Sequence, residues 1–219
     1  MTYVIAYDVG TTAVKTCLFR LDGRITLVAS AQKGYGLYVM DDGGVEQDAD
    51  EWWEAMCVTT RRLFEKAPAT PEEVRGISFC SQMQGLVLVD EAGRAVRRPM
   101  SYMDQRARAE LKAGMTHGIK VSGINAVKLV KSLKRTWAVS TSVKDPVWKY
   151  KWVEKNEPES FASVHKWLDV KEYLICRATG EFVMTEDSAY ATFLYDSRVD
   201  KREWSPALCR MLKVDMAHL

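Results

Sequence analysis

The sequence predicts an α/β fold, a mixed sheet with flanking helices. Three consecutive β-type runs open the chain, at Tyr3–Tyr7, Val14–Leu21 and Ile25–Ala29. Helical spacing takes over after Asp48, and a further strand starts at Val74 before capped helices and short strands alternate. Three antiparallel strands at the start are unlike a dinucleotide-binding domain, and no G-x-G-x-x-G occurs. At 219 residues the chain makes one large domain or two small ones.

The first two runs form a hairpin whose tip is Asp8-Val9-Gly10-Thr11-Thr12. Asp8 ends a buried strand as a fixed carboxylate, which suits a magnesium ion held directly or through water. Gly10 lets backbone N–H groups approach an anion, Thr11 and Thr12 add hydroxyl donors, and Lys15 follows as a point charge. Together they suit the terminal phosphates of a nucleotide. An ordinary hairpin with a glycine turn is the competing reading.

Composition excludes several classes. The net charge is +2, with cations and anions interleaved, so there is no electrostatic case for nucleic acid. Lys128–Arg135 is a basic cluster, but its alternation with Val127, Leu129, Val130 and Leu133 reads as a solvated helix face. Five dispersed cysteines without a C-x-x-C pair point to reduced thiols in cytoplasm, and three histidines show no ligand spacing. No leader and no run approaching the ~20 apolar residues of a membrane span are expected.

Along the chain, Asp48 is expected to cap a helix, with Glu51 completing a capping box. Trp52, Met56 and Leu63 share a buried face with Trp53, Cys57 and Phe64 at i, i+4 spacing. Val74–Ser78 reads as a strand running into Cys80-Ser81-Gln82-Met83-Gln84-Gly85, then an apolar strand to Val89. Polar side chains at a strand end suit a ligand, and Gln84 offers one acceptor and two donors to a sugar hydroxyl. A polar loop that satisfies its own backbone reads equally well there. Helices with loops near Gly118 and Gly123 follow. Pro146–Asn156 is a helix read as scaffold, Asp169 and Glu172 form a second capping box, and that helix stops at Gly180.

The hairpin motif resembles the first phosphate motif of the superfamily of sugar kinases, actin and heat-shock chaperones. Later stretches narrow this. Gln82-Met83-Gln84-Gly85 resembles the Q-M-H-G of FGGY carbohydrate kinases, xylulokinases especially, with Gln84 in place of His. Ser101-Tyr102-Met103-Asp104-Gln105-Arg106 resembles the family's W-x-D-x-R, with Tyr102 in place of Trp. Glu46-Gln47-Asp48 before Trp52-Trp53, Pro146–Asn156, and Phe182–Asp196 are similar to further family segments.

The resemblance implies a ribonuclease-H-like fold and an ATP- and Mg2+-dependent carbohydrate kinase acting on a sugar or polyol. It implies that residues 1–219 are the N-terminal, sugar-binding domain, and that a C-terminal nucleotide-binding domain would be the missing partner. The substrate set is Gln82, Met83, Gln84, Tyr102 and Asp104; Tyr102 would stack on the sugar and Asp104 would accept its hydroxyls. The family places an aspartate seven residues before the threonine matching Thr192. Here Thr185 stands there, with Glu186 and Asp187 next, and Asp187 is the favoured general base. A homodimer is left open, as is the identity of the sugar. The alternative function is a non-catalytic sugar-sensing or interaction module.

Overall fold

The computed structural model describes residues 2–219. They divide into two compact units, residues through Leu37 with Gln47–Gln82, and Tyr38–Glu46 with Met83–Leu219.

The first unit is a four-stranded sheet under one long helix. Strands β1 (Thr2–Val9), β2 (Ala13–Leu21) and β3 (Ile25–Gly34) form an antiparallel meander. After helix α1 (Ala49–Lys66), strand β4 (Val74–Ser81) returns parallel to β1, giving the order β3-β2-β1-β4. Both β3 and β4 run further than the sequence pattern predicts. Alternate residues of β1 (Tyr3, Ile5, Tyr7, Val9) are buried, as the two-residue period of a strand requires. Helix α1 packs on β2 and β3. There Trp52 is buried, Thr59 bonds Thr16 at 2.7 Å, and Thr60 bonds the Tyr7 hydroxyl at 2.7 Å. Asp48 caps α1 through the Asp50 N–H, and Glu51 accepts from the Gly36 N–H at 2.6 Å.

The second unit contains an antiparallel pair, β5 (Val87–Val89) with β6 (Lys166–Leu168), and five longer helices. These are α2 (Arg108–Met115), α3 (Ala126–Thr136), α4 (Pro146–Asn156), α5 (Val170–Thr179) and, after the short α6 (Glu186–Ala191), α7 (Pro206–Leu212). Their core holds Leu88, Met100, Trp148, Tyr150, Trp167 and Leu208. Tyr150 stacks on Trp167 with centroids 5.1 Å apart. Helix α5 ends at Gly180 in the left-handed region (φ 79°), the expected stop. Helix α3 is solvated as expected, and its exposed side includes Val127, Val130 and Leu133. Among the described residues no helix is long and apolar enough to cross a membrane.

Neither expected capping box takes its predicted form; at α1 Asp48 accepts from the Asp50 N–H and Glu51 from the Gly36 N–H. Asp169 and Glu172 do not close a capping box. Asp169 caps α5 through the Val170 N–H at 2.8 Å, and the rest of its carboxylate turns to another loop, while Glu172 turns to Thr185. Long-range partners outcompete the local pair.

Candidate active site

In the first unit, Asp8 and Lys15 lie directly opposite each other across β1 and β2, both exposed. The tip beyond them is braced from below. The Gly10 N–H donates to Ala13 O at 3.0 Å, and the Tyr35 hydroxyl donates to Gly10 O at 2.5 Å. The Tyr35 N–H donates to Thr12 O at 3.1 Å, and Gln47 Nε2 donates to Thr11 O at 2.8 Å. The carbonyls of Gly10, Thr11 and Thr12 are therefore taken up by protein donors. What such a tip can offer a ligand is donors, as an anion requires. Burial, and then the charge of Asp8, hold the Tyr35 phenol above its ordinary pKa, so it stays a donor at neutral pH.

Gln82 belongs to this network. Its Nε2 donates to Gln47 Oε1 at 2.7 Å and its N–H to Val9 O at 2.9 Å. Its Oε1 is buried and has no partner among the described residues, an unpaired acceptor of a kind that is uncommon in folded proteins.

Asp8 is a single exposed carboxylate, and no group of three His, Cys, Asp or Glu among the described residues could hold a metal. That donor set fits magnesium, which keeps its waters and takes one or two carboxylates with substrate phosphates.

In the second unit, Gln84 is clamped by two buried charges. Its N–H donates to Asp169 Oδ2 at 2.9 Å, the Gly85 N–H to Asp169 Oδ1 at 3.1 Å, and Lys149 Nζ donates to Gln84 O at 2.7 Å. The clamp holds Gln84 at φ 63°, a left-handed conformation costly for a residue with a Cβ. A Cβ on Gly85 would lie 2.9 Å from Asp169 Oδ1, so any side chain there would press on the clamp. Lys149 also donates to Ser101 O at 2.8 Å and is wholly buried, so one ammonium ties together the segments of Gln84 and Tyr102. Burial pushes Lys149 down to about 7, opposed by the charges of Asp104 and then Asp169. It pushes Asp169 up to about 7, opposed first by the Val170 N–H and more weakly by the Gln84 N–H and the charge of Lys149. Met83 is exposed and Tyr102 half-buried.

Asp104 takes a different role from the expected hydroxyl acceptor. It is fully buried, and its carboxylate accepts from the Val45 N–H at 2.9 Å and from Arg106, the shortest contact being 2.7 Å. Arg106 also reaches Glu46 at 2.7 Å and lies over the Trp152 ring at 4.4 Å. These donors fill the carboxylate's acceptor positions, so it fixes the loop and has no free face for a sugar.

Glu186 and Asp187 occupy the first turn of α6, both exposed. Asp187 pairs with the buried Lys171. Partial burial raises its pKa, but hydrogen bonds from Lys171 and Thr185 and the charge of Lys171 outweigh this and hold it below the ordinary value. Glu186 lies 3.3 Å from the Tyr195 hydroxyl and 3.9 Å from Arg202 Nε. The Thr185 hydroxyl donates to the buried Glu172 at 2.5 Å. In the sequence Lys149 reads as scaffold, Asp169 and Glu172 read as caps, and Lys171 carries no signal, because nothing in a local pattern reports a partner 13 or more residues away.

An antiparallel meander joined by a parallel strand, with an acid at the end of its first strand, defines an α/β domain of the actin and hexokinase ATPase fold. Solved structures of that fold align over nearly the whole chain. The ligand-bound xylulose kinase of Lactobacillus acidophilus superposes with a TM-score of 0.81 at 25% identity, over 100% of this chain and 41% of that one. The glycerol kinase of Plasmodium falciparum with ADP, at 14% identity and a TM-score of 0.76 over 98% and 41%, shares the fold.

The profile of the FGGY family of carbohydrate kinases, N-terminal domain, matches residues 3–219, and the chain belongs to that family. Its relatives include the xylulose kinase of Staphylococcus xylosus, 27% identical over 98% of this chain and 41% of that protein. The gluconokinase of Bacillus subtilis (strain 168) is 26% identical over 100% and 39%. The chain thus spans about two-fifths of the length of the curated relatives it matches.

Proposed function

We propose that residues 1–219 act as the sugar-binding half of an ATP-dependent carbohydrate kinase that phosphorylates a sugar or polyol hydroxyl. The observation that carries the reading is the clamped, left-handed Gln84, a strained residue at the position where the family's pocket motif falls. Gln84 and Met83 line the sugar, Tyr102 stacks on it, Gln82 Oε1 accepts a hydroxyl, and Asp104 holds the Tyr102 loop in place. The N–H groups and hydroxyls of Thr11 and Thr12, with Lys15 and the close backbone approach that Gly10 allows, hold the phosphates of ATP. Magnesium, which Asp8 would hold directly or through water, would supply charge neutralisation at those phosphates. Asp187 takes the proton from the sugar hydroxyl as its oxygen attacks the γ-phosphorus and ADP leaves. Most of the rate comes from positioning and electrostatics.

The partners in this reading are the sugar or polyol, ATP and a C-terminal kinase domain. Sedimentation velocity decides whether the chain also forms a homodimer. The cytoplasmic setting is supported by five unpaired cysteines.

A second reading, a sugar-sensing or interaction module without catalysis, is favoured by one observation. Thr185 occupies the aspartate position, and Asp187 is held as a weakened base by Lys171. One experiment separates the two. With the chain joined to a C-terminal FGGY domain, Asp8→Asn and Lys15→Ala should each lower kcat about a hundredfold or more and leave sugar affinity within a few-fold. Asp187→Asn should abolish turnover. If Glu186→Gln is the dead variant, the base is Glu186. If the joined enzyme binds sugar without turnover, the module reading holds.

A further inference from the structure

Helices α2, α4 and α7 enclose a cleft of about 340 Å³ that none of the residues assigned above lines. Its floor is apolar and tightly built. Trp148 is buried there, and α2 approaches so closely that a Cβ on Gly114 would lie 2.2 Å from the Trp148 ring. Two polar atoms in this floor lack partners. Glu110 is 8% exposed; its Oε1 meets Lys155 at 3.3 Å, while Oε2 has no hydrogen bond, and neither has Trp148 Nε1. Buried polar atoms of this kind are uncommon and point to a missing partner.

The lining is also cationic, with four lysines against two glutamates. Lys151 is paired with Glu154 and Lys155 with Glu110. Lys128 donates only to the backbone oxygen of Gly114, at 2.5 Å, and Lys213 has no side-chain partner among the described residues. Burial, followed by the charge of Lys213, pulls Lys128 below its ordinary pKa. Two cations lining one cleft with an apolar floor leave an excess that a dianion would neutralise.

We infer that this cleft is a second small-molecule site, one that takes a phosphate monoester bearing hydroxyl groups. The phosphate, close to doubly charged at neutral pH, sits between Lys128 and Lys213. A hydroxyl of the ligand donates to Glu110 Oε2, the unpartnered acceptor of the cleft. The volume suits a compact ligand. The inference stands on these residues alone and does not depend on the kinase reading.

Calorimetric titration of the chain with glycerol 3-phosphate, glycerol and inorganic phosphate tests it. Glycerol 3-phosphate should bind this cleft one to one, and any binding of glycerol alone should be indifferent to the lysine variants below. Lys128→Gln and Lys213→Gln, made separately, should each weaken it about tenfold, the loss of one charge-assisted contact. Glu110→Gln should weaken glycerol 3-phosphate and leave inorganic phosphate unchanged or tighter, because an anion nearby has been removed. Gln84→Ala and Lys15→Ala should change nothing here, which separates this site from the proposed kinase site. Absence of glycerol 3-phosphate binding, or binding indifferent to both lysine variants, overturns the inference; so does binding abolished by Gln84→Ala.

Discussion

Lys149 Nζ and the backbone oxygen of Gln84 lie 2.7 Å apart, joining a buried helix to a loop residue held at φ 63°. The same ammonium meets Ser101 O, so removing it leaves two carbonyls without their donor. Lys149→Met should cost about 2 to 4 kcal/mol in urea unfolding and should loosen sugar binding without any direct contact. A cost below about 1 kcal/mol would mean that the loops hold themselves.

Gln84 separates stability from function. Gln84→Gly relieves the left-handed strain and should stabilise the fold by up to about 1 kcal/mol. It also deletes the amide assigned to the sugar, so ligand affinity should fall at least about tenfold. A variant that is more stable and binds as well as the wild type would remove Gln84 from the pocket.

The contrast between these positions shows what a sequence can report. The hairpin, helix α1, the stop at Gly180 and the tip of Asp8, Gly10 and Thr12 are legible because each is a local pattern of period, cap or turn. The clamp on Gln84 is not, because Asp169 reads as a helix cap and Lys149 as one lysine among several on a helix. Asp104 looks like an available acid until Arg106 and the Val45 N–H are seen to fill it. The extension of β3 to Gly34 crosses Gln32 and Lys33, polar residues that strand propensity undervalues.

Packing of α2 on α4 depends on a residue without a side chain. Gly114→Ala would push a methyl group into the Trp148 ring, and overpacking of this kind should cost about 1 to 3 kcal/mol. Thermal unfolding should register it, accompanied by a change in the near-ultraviolet signal of the tryptophans. An unchanged melting temperature would show that Trp148 has room to move.

Asp187 carries a pH signature. Its folded pKa lies below the ordinary 3.8, so the stability it contributes is fully present above that value. It is lost as pH falls through the folded pKa. The gap between wild type and Asp187→Asn should therefore be constant at pH 5 and above and close toward pH 3. With a largely exposed partner atom the gap should stay under about 1 kcal/mol. A gap that widens on acidification would contradict the Lys171–Asp187 pair.

The most direct test of the account is a thermal-shift titration of the purified chain with ketoses, sugar acids and polyols, repeated on Gln84→Ala. A ligand bound only by the folded state and present at a hundred times its Kd adds about 2.7 kcal/mol. For a chain of this size that is a rise of about 5 to 10 °C. The account predicts such a rise for at least one of these compounds and its loss in Gln84→Ala. No shift with any of them, or a shift of equal size in the variant, would contradict a sugar-binding role for this domain.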